Sequence, residues 1–288
     1  MDSLRDNNGM KRIANQVFEG ERPLFKTEDA EIVSCSFLEG ESPLKESKNL
    51  LVKECSFTWK YPFWYDKNIR VEGCSFGVNA RAGMWYDENA TFRQCRFEGP
   101  KGFRRGKDLT IEKCEFLDAA EGFWENDGVK LRDVKASGNY LMMNSRNIEV
   151  DGLELNGNYP FDGCENLKVL NSRLISKDAF WNCKNVEVHD SYIEGEYFGW
   201  NSENITLVNC EIHSHQGFCY IKNLKLINCK VIDSDLTFEY CENIDAEIVT
   251  KVDSIKNPIS GKIKAKGCDE LITDDPSIDQ TKIEVILG

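Results

Sequence analysis

Apolar and polar residues alternate over short stretches of this chain, and each stretch returns about one coil of chain later. Successive units open at Asp29, Asn49, Asn68, Asn89, Asp108, Gly128, Asn147, Asn166, Asn185, Asn204, Asn223 and Asn243, spaced 19 to 21 residues apart. Most share one frame, Asn followed by apolar, any, apolar, two variable residues, Cys, any and apolar, as in "NIRVEGCSF", "NITLVNCEI" and "NLKLINCKV". The residues one and three after the Asn (Leu50, Ile69, Leu109, Ile148; Val52, Val71, Phe92, Ile111) are apolar, with Arg70, Thr110, Lys168 and Thr206 between them. A period of two predicts a strand with one buried face.

Two further apolar columns complete the unit. Eight positions into the frame come Phe37, Phe57, Phe76, Phe97 and Phe116, then Leu155, Leu174, Ile193, Ile212 and Val231. Five residues before each new Asn come Leu44, Phe63, Met84, Phe103, Phe123, Met142, Phe161, Phe180, Phe218 and Phe238, interrupted by Gly199. Three inward faces per unit describe a coil, and like positions stacked about 4.8 Å apart bury like on like. The expectation is an all-β, single-stranded parallel β-helix of about 12 coils. It forms one domain over 1–288, with an N-terminal cap at 1–15, regular coils over 16–251 and an irregular coil and cap over 252–288. A leucine-rich repeat fits the strand but not second halves such as "TWKYPFWYDK", which lack a helical apolar period. The repeating Asn is expected to form a ladder in a turn, its amide serving backbone groups in left-handed geometry.

Composition narrows the partners. Hydrophobic residues make up 41% and charged residues 30%, and no apolar run reaches the roughly 20 residues that span a bilayer, so no membrane partner is expected. The net charge of −13 argues against nucleic acid, whose binding needs Lys and Arg clusters. Twelve cysteines sit at a repeat position rather than in paired motifs, which reads as buried thiols and not as a disulfide framework. The polar N-terminus "MDSLRDNNGMKRIANQ" carries no secretion-like apolar segment, so a cytoplasmic location is expected.

The column four before each Asn should point outward. It reads Trp64, Trp85, Arg104, Trp124, Met143, Asp162, Trp181 and Trp200; its neighbour reads Tyr65, Tyr86, Arg105, Glu125, Asn144, Gly163, Asn182, Asn201, Tyr220 and Tyr240. Trp and Tyr mixed with Arg, Asn and carboxylates is the composition of a binding cleft. The ligand expected there is an oligosaccharide or other small polar molecule. Trp64, Trp85, Trp124, Trp181 and Trp200 would serve as platforms, with Arg105, Asp127 and Asp178 as polar contacts. A glycosidase or polysaccharide lyase at this face would use Glu125 and Asp162 as acid and base, about 10 Å apart on coil spacing, with Arg104 beside them. A non-catalytic scaffold, docking a protein partner or a second copy as a homo-oligomer, is the competing reading. "CEIHSHQGFC" groups Cys210, His213, His215 and Cys219, but the inward Cys210 speaks against zinc. No cofactor or metal is expected.

The repeated frame, with "PFWYDKN" and "FDGCENLKV", resembles a bacterial family of predicted β-helices, domain of unknown function 3737, over roughly residues 16 to 260. That family is similar in fold to pectate lyases and polygalacturonases. The resemblance implies a right-handed coil and polysaccharide as a ligand class, and it assigns no catalytic residues.

Overall fold

The computed structural model describes residues 9–288. They form a parallel β-solenoid of about 15 turns with essentially no helix, divided into two compact units, one ending at Met142 and the other running from Met143 to Gly288. The count exceeds the expected twelve because coils continue where the Asn frame does not. Lys11–Ala14 already pairs in register with Glu28–Val33 in the first unit, and in the second Gly261–Ala265 pairs with Glu242–Ile248 and Ile283–Leu287 with Gly261–Ala265. Residues 1–8 of the expected N-terminal cap lie outside the described residues.

In the first unit, Glu28–Val33, Lys48–Lys53, Lys67–Glu72, Glu88–Arg93, Lys107–Glu112 and Asp127–Ser137 pair in parallel. The register places Ala30, Leu50, Ile69, Ala90, Leu109 and Val129 over one another, all buried. A second ladder stacks Phe18, Phe37, Phe57, Phe76, Phe97 and Phe116, with ring centroids 4.5 to 5.1 Å apart. Against it the third column packs edge-on, as where Phe97 meets Phe103 at 5.5 Å and 74°. Phe burial is the largest favourable term per residue here, roughly 2 to 3 kcal/mol each.

The second unit repeats the design with Arg146–Asn156, Glu165–Leu170, Lys184–His189, Glu203–Val208, Lys222–Ile232 and Glu242–Ile248. Its third column runs Phe161, Phe180, Phe218, Phe238. At Gly199, where the sequence pattern breaks, Phe198 takes the place. It lies 5.2 Å from both Phe180 and Phe218, so the stack has no gap.

Each coil turns at corners held in left-handed backbone. Asn49, Asn68, Asn147, Asn166, Asn185, Asn204, Asn223 and Asn243 have φ between 53° and 59° wherever they open a coil, a geometry Asn tolerates better than most residues. Their amides do form ladders, but on the outside and with one another. Asn68 donates to Asn49 at 3.0 Å and Asn89 to Asn68 at 2.8 Å. In the second unit Asn185, Asn204, Asn223 and Asn243 continue likewise at 2.7 to 2.9 Å. The expected service to backbone groups falls to other columns, described below.

Among the described residues every cysteine is a free thiol, all but Cys268 buried. In the Cys column the thiol plays both hydrogen-bonding roles. Cys55 Sγ accepts from the Cys35 N–H at 3.4 Å and donates to the Lys53 carbonyl at 3.1 Å. Ser172 and Ser191 do the same in the second unit, which explains why Cys and Ser alternate in one column.

Candidate functional site

The predicted outward tryptophans are half-buried and bound to the next coil. Trp64 Nε1 donates to the Ala82 carbonyl at 2.7 Å, Trp85 to Lys101 at 2.8 Å and Trp124 to Tyr140 at 2.6 Å. Arg104 fills a tryptophan's slot and copies its bond. Its guanidinium donates twice to the Glu121 carbonyl, at 2.8 and 3.0 Å, while lying 5.3 Å from the Trp85 ring centre and 4.2 Å from that of Trp124. Trp64 and Trp85 stack at 5.2 Å and 6°. Trp64, Trp85, Arg104 and Trp124 therefore form one continuous stack in the first unit. Ring faces inside such a stack are covered by their neighbours, and the fold uses these faces and N–H groups to tie turns together.

The neighbouring column is the exposed one. Tyr65, 45% exposed, stacks on Tyr86 at 4.7 Å and 2°, and the Lys45 ammonium lies 5.7 Å from the Tyr65 ring. Arg105 follows, its Nη1 donating to the Tyr86 hydroxyl and its Nε to Glu125, both at 2.8 Å. These two bonds, Glu125 first, raise the Arg105 pKa. Tyr65, Tyr86, Arg105 and Glu125 thus make a row of hydroxyl, cation and carboxylate at coil spacing.

The predicted acid and base each bond within a row of their own. Glu125 is paired with Arg105 and half-exposed. The Arg104 carboxylate partner is instead Glu121, at 2.8 Å, and that hydrogen bond, with help from Lys101, holds Glu121 below the usual carboxylate range. Asp162 lies in the second unit, where it accepts from the Asn182 amide at 2.9 Å; Asn201 donates in turn to Asn182 at 3.0 Å. Gly163 beside it has φ +70°, and a Cβ there would stand 2.2 Å from Asn144 Oδ1. Glu125 and Asp162 each belong to a separate side-chain row in a separate unit.

Asp127 opens the strand Asp127–Ser137 and its backbone N–H donates to Gly106. Asp178 is buried at a left-handed corner with φ 57°. Burial raises its pKa, opposed by a Tyr159 hydrogen bond. In the second unit Trp181 and Trp200 lie 5.9 Å apart and tilted, Trp200 meets Tyr220 at 4.8 Å, and Tyr220 stacks on Tyr240 at 5.2 Å. Trp181 Nε1 donates to the Tyr197 carbonyl at 3.4 Å.

Two shallow grooves escaped the sequence reading. One, of about 640 Å³, runs over Glu149, Lys168, Glu187 and Thr206 beside the Asn166, Asn185 and Asn204 amides. The other, of about 390 Å³, runs over Leu51, Arg70 and Thr91 beside Asn49, Asn68 and Asn89. The signal was available in the polar residue between the two apolar strand positions. The Cys210, His213, His215 and Cys219 grouping does not converge. Cys210 is buried and donates inward to Val188 and Val208 carbonyls, whereas His213 contacts Glu211 and Asp233. Among the described residues no group of three or more His, Cys, Asp and Glu is placed to hold a metal, and no helix is long and apolar enough to cross a membrane.

A family model described as "Protein of unknown function (DUF3737)" matches residues 11–286. No curated protein sequence matches the chain. Solved structures with a related trace include PfbA, a surface adhesin of Streptococcus pneumoniae, at 9% identity and TM-score 0.41, covering 89% of this chain and 79% of that one. The A-module of the mannuronan C-5 epimerase AlgE4 of Azotobacter vinelandii has 8% identity and TM-score 0.33, over 99% and 92%. A tailspike protein of E. coli bacteriophage HK620 has 10% identity and TM-score 0.37, over 97% and 72%.

Proposed function

From the premise that this chain belongs to the DUF3737 family, whose description names no activity, we propose that it binds carbohydrate along the exposed Tyr65, Tyr86, Arg105 and Glu125 row. The carrying observation is that the side chains of this row are already bonded to one another along the coil stack. Ring stacking and the two Arg105 bonds fix four polar side chains at coil spacing, so little rotamer entropy is lost on binding. Hydroxyl, guanidinium and carboxylate groups in a line suit a polyhydroxylated chain, and the half-buried Trp64 and Trp85 beside them supply apolar edges. The Asp162, Asn182 and Asn201 row leading to Tyr220 and Tyr240 offers similar chemistry in the second unit.

Binding without turnover is the reading we favour. Inverting and retaining glycosidases alike need two carboxyl groups flanking one bond, one of them kept protonated. Glu125 is exposed and committed to the Arg105 guanidinium. A row about three coil steps long, roughly 14 Å on β spacing, makes affinity depend on ligand length. Intrinsic fluorescence titrations with neutral and acidic oligosaccharides should show affinity rising from mono- to tetrasaccharide and falling at least tenfold in Tyr86→Ala/Arg105→Ala. Length-independent binding, or full affinity in that variant, would remove the row from the proposal.

One observation favours docking of a second copy instead: both tyrosine pairs cover each other's faces, leaving edges and hydroxyls that a protein surface can also meet. Sedimentation equilibrium separates the two, since a dimer that Tyr65→Ala dissolves would support self-association over sugar.

A further inference from the structure

Two residues before each Asn lies a buried column that performs a double task. It reads Thr27, Ser47, Asp66, Asp87, Gly106 and Asn126 in the first unit, and Ser145, Cys164, Cys183, Ser202, Ile221 and Cys241 in the second. Gly106 and Ile221 have no side-chain acceptor; at Ser47, Asn126, Ser202 and Cys241 the side chain accepts a hydrogen bond from the backbone N–H of the same column one coil earlier. Thr27 N–H donates to Ser47 Oγ at 3.1 Å, Gly106 N–H to Asn126 Oδ1 at 2.7 Å, Cys183 N–H to Ser202 Oγ at 2.9 Å and Ile221 N–H to Cys241 Sγ at 3.5 Å.

The same side chain also donates, to the carbonyl of the third-column residue one coil earlier. Ser47 Oγ donates to Leu24 at 3.4 Å, Asn126 Nδ2 to Phe103 at 2.7 Å, Cys183 Sγ to Phe161 at 2.9 Å, Ser202 Oγ to Phe180 at 2.6 Å and Cys241 Sγ to Phe218 at 2.9 Å. Each of these side chains carries both a hydrogen to give and a lone pair to receive one. An ionised carboxylate has only the second.

Asp66 and Asp87 occupy this column, 0% and 1% exposed. Their accepting halves follow the rule: Ser47 N–H donates to Asp66 Oδ1 at 2.7 Å and Asp66 N–H to Asp87 Oδ1 at 2.9 Å. Their other oxygens, both Oδ2, are buried and meet no donor. By the step of the ladder the groups awaiting them are the Leu44 and Phe63 carbonyls, which are acceptors. Two buried acceptors facing each other cost several kcal/mol unless a hydrogen lies between them.

We infer that Asp66 and Asp87 are neutral carboxylic acids in the folded protein, each Oδ2–H standing where an amide hydrogen of Asn126 stands and donating to a main-chain carbonyl. The charges around them agree. Among the described residues no ion pair includes either carboxyl. The nearby cations are committed elsewhere, Lys67 to Glu88, Lys48 to Glu28 and Arg105 to Glu125, while Lys45 lies over Trp64 and Tyr65. A charge on Asp87 would oppose one on Asp66, and Glu46 adds a further negative charge beside it. Burial first, then Asp87, drives the Asp66 pKa well above its ordinary 3.8, and burial does the same for Asp87 against the opposing Asp66 N–H.

The linkage has a definite sign. The folded state holds these protons above pH 3.8, where the unfolded chain has released them, so their contribution is complete below that pH. It is lost as pH rises toward the folded pKa values, by up to about tenfold in the folding constant per pH unit for each acid. The pair titrates as a unit, because the first charge opposes the second.

Isotope-edited infrared spectroscopy of Asp-labelled wild type at pH 7 should show protonated-carboxyl C=O bands that disappear in Asp66→Asn/Asp87→Asn. Thermal melts should show wild type losing stability from pH 5 to pH 9 and the double Asn variant losing markedly less, ending above wild type at pH 9. Carboxylate bands alone in the wild type would overturn the inference, and that result does not depend on the variant folding. So would a double variant with an unchanged pH slope or lower stability at pH 9.

Discussion

At the residue scale the fold rests on side chains that both give and receive hydrogen bonds at buried corners. Ser202 shows the requirement most plainly, because its hydroxyl satisfies the Phe180 carbonyl and the Cys183 N–H together. Ser202→Ala strands two buried backbone groups and should destabilise the protein by about 2 to 4 kcal/mol. Ser202→Cys, which copies the neighbouring coil, should cost markedly less, and urea denaturation of the two variants checks the order. The same requirement explains what the sequence hides. Apolar columns such as Phe57 and Phe76 are legible because their chemistry is uniform, whereas Ser47, Asp66, Asn126 and Cys183 share a role without sharing a residue type. Reading them as one column takes the coordinates of the groups they bond.

At the element scale each coil is set by its left-handed corners. The Asn frame was legible as a repeat and as left-handed geometry. The destination of its amides was not, since an exposed side-chain ladder and a backbone cap use the same residue. Because, among the described residues, the Asn204 side-chain amide bonds to Asn185 and Asn223 on the surface, Asn204→Ala should lose little more than about 1 kcal/mol of ladder bonding. Asn204→Val forces a β-branched residue to φ 59° and should lose about 1 to 2 kcal/mol more. Chemical denaturation distinguishes the two, and equal costs would place the ladder bonds above the backbone in importance. The tryptophan column shows the reverse limit of pattern reading. The alternation that buries Met84 turns Trp85 outward, but it does not foretell that the indole N–H reaches the Lys101 carbonyl, a turn whose nearness depends on how the next coil bends.

At the scale of the whole molecule, repetition fixes which residues line up, and chemistry then decides which rows are free to bind. The first unit spends its Trp and Arg104 faces on its own turns and leaves Tyr65, Tyr86, Arg105 and Glu125 outward; the second leaves Asn182, Asn201, Tyr220 and Tyr240. The net charge of −13 disfavours strongly acidic polymers except where Arg105 and Lys45 meet them, so neutral or weakly acidic glycans are the expected ligands, with affinity falling modestly in salt. The most direct measurement is a glycan array probed with labelled wild type and with Tyr65→Ala/Tyr86→Ala/Arg105→Ala, whose fold is first checked by circular dichroism. The account predicts wild-type signal on a related set of oligosaccharides and its loss in the folded triple variant. No wild-type signal on any glycan, or equal signal from both proteins, would contradict it.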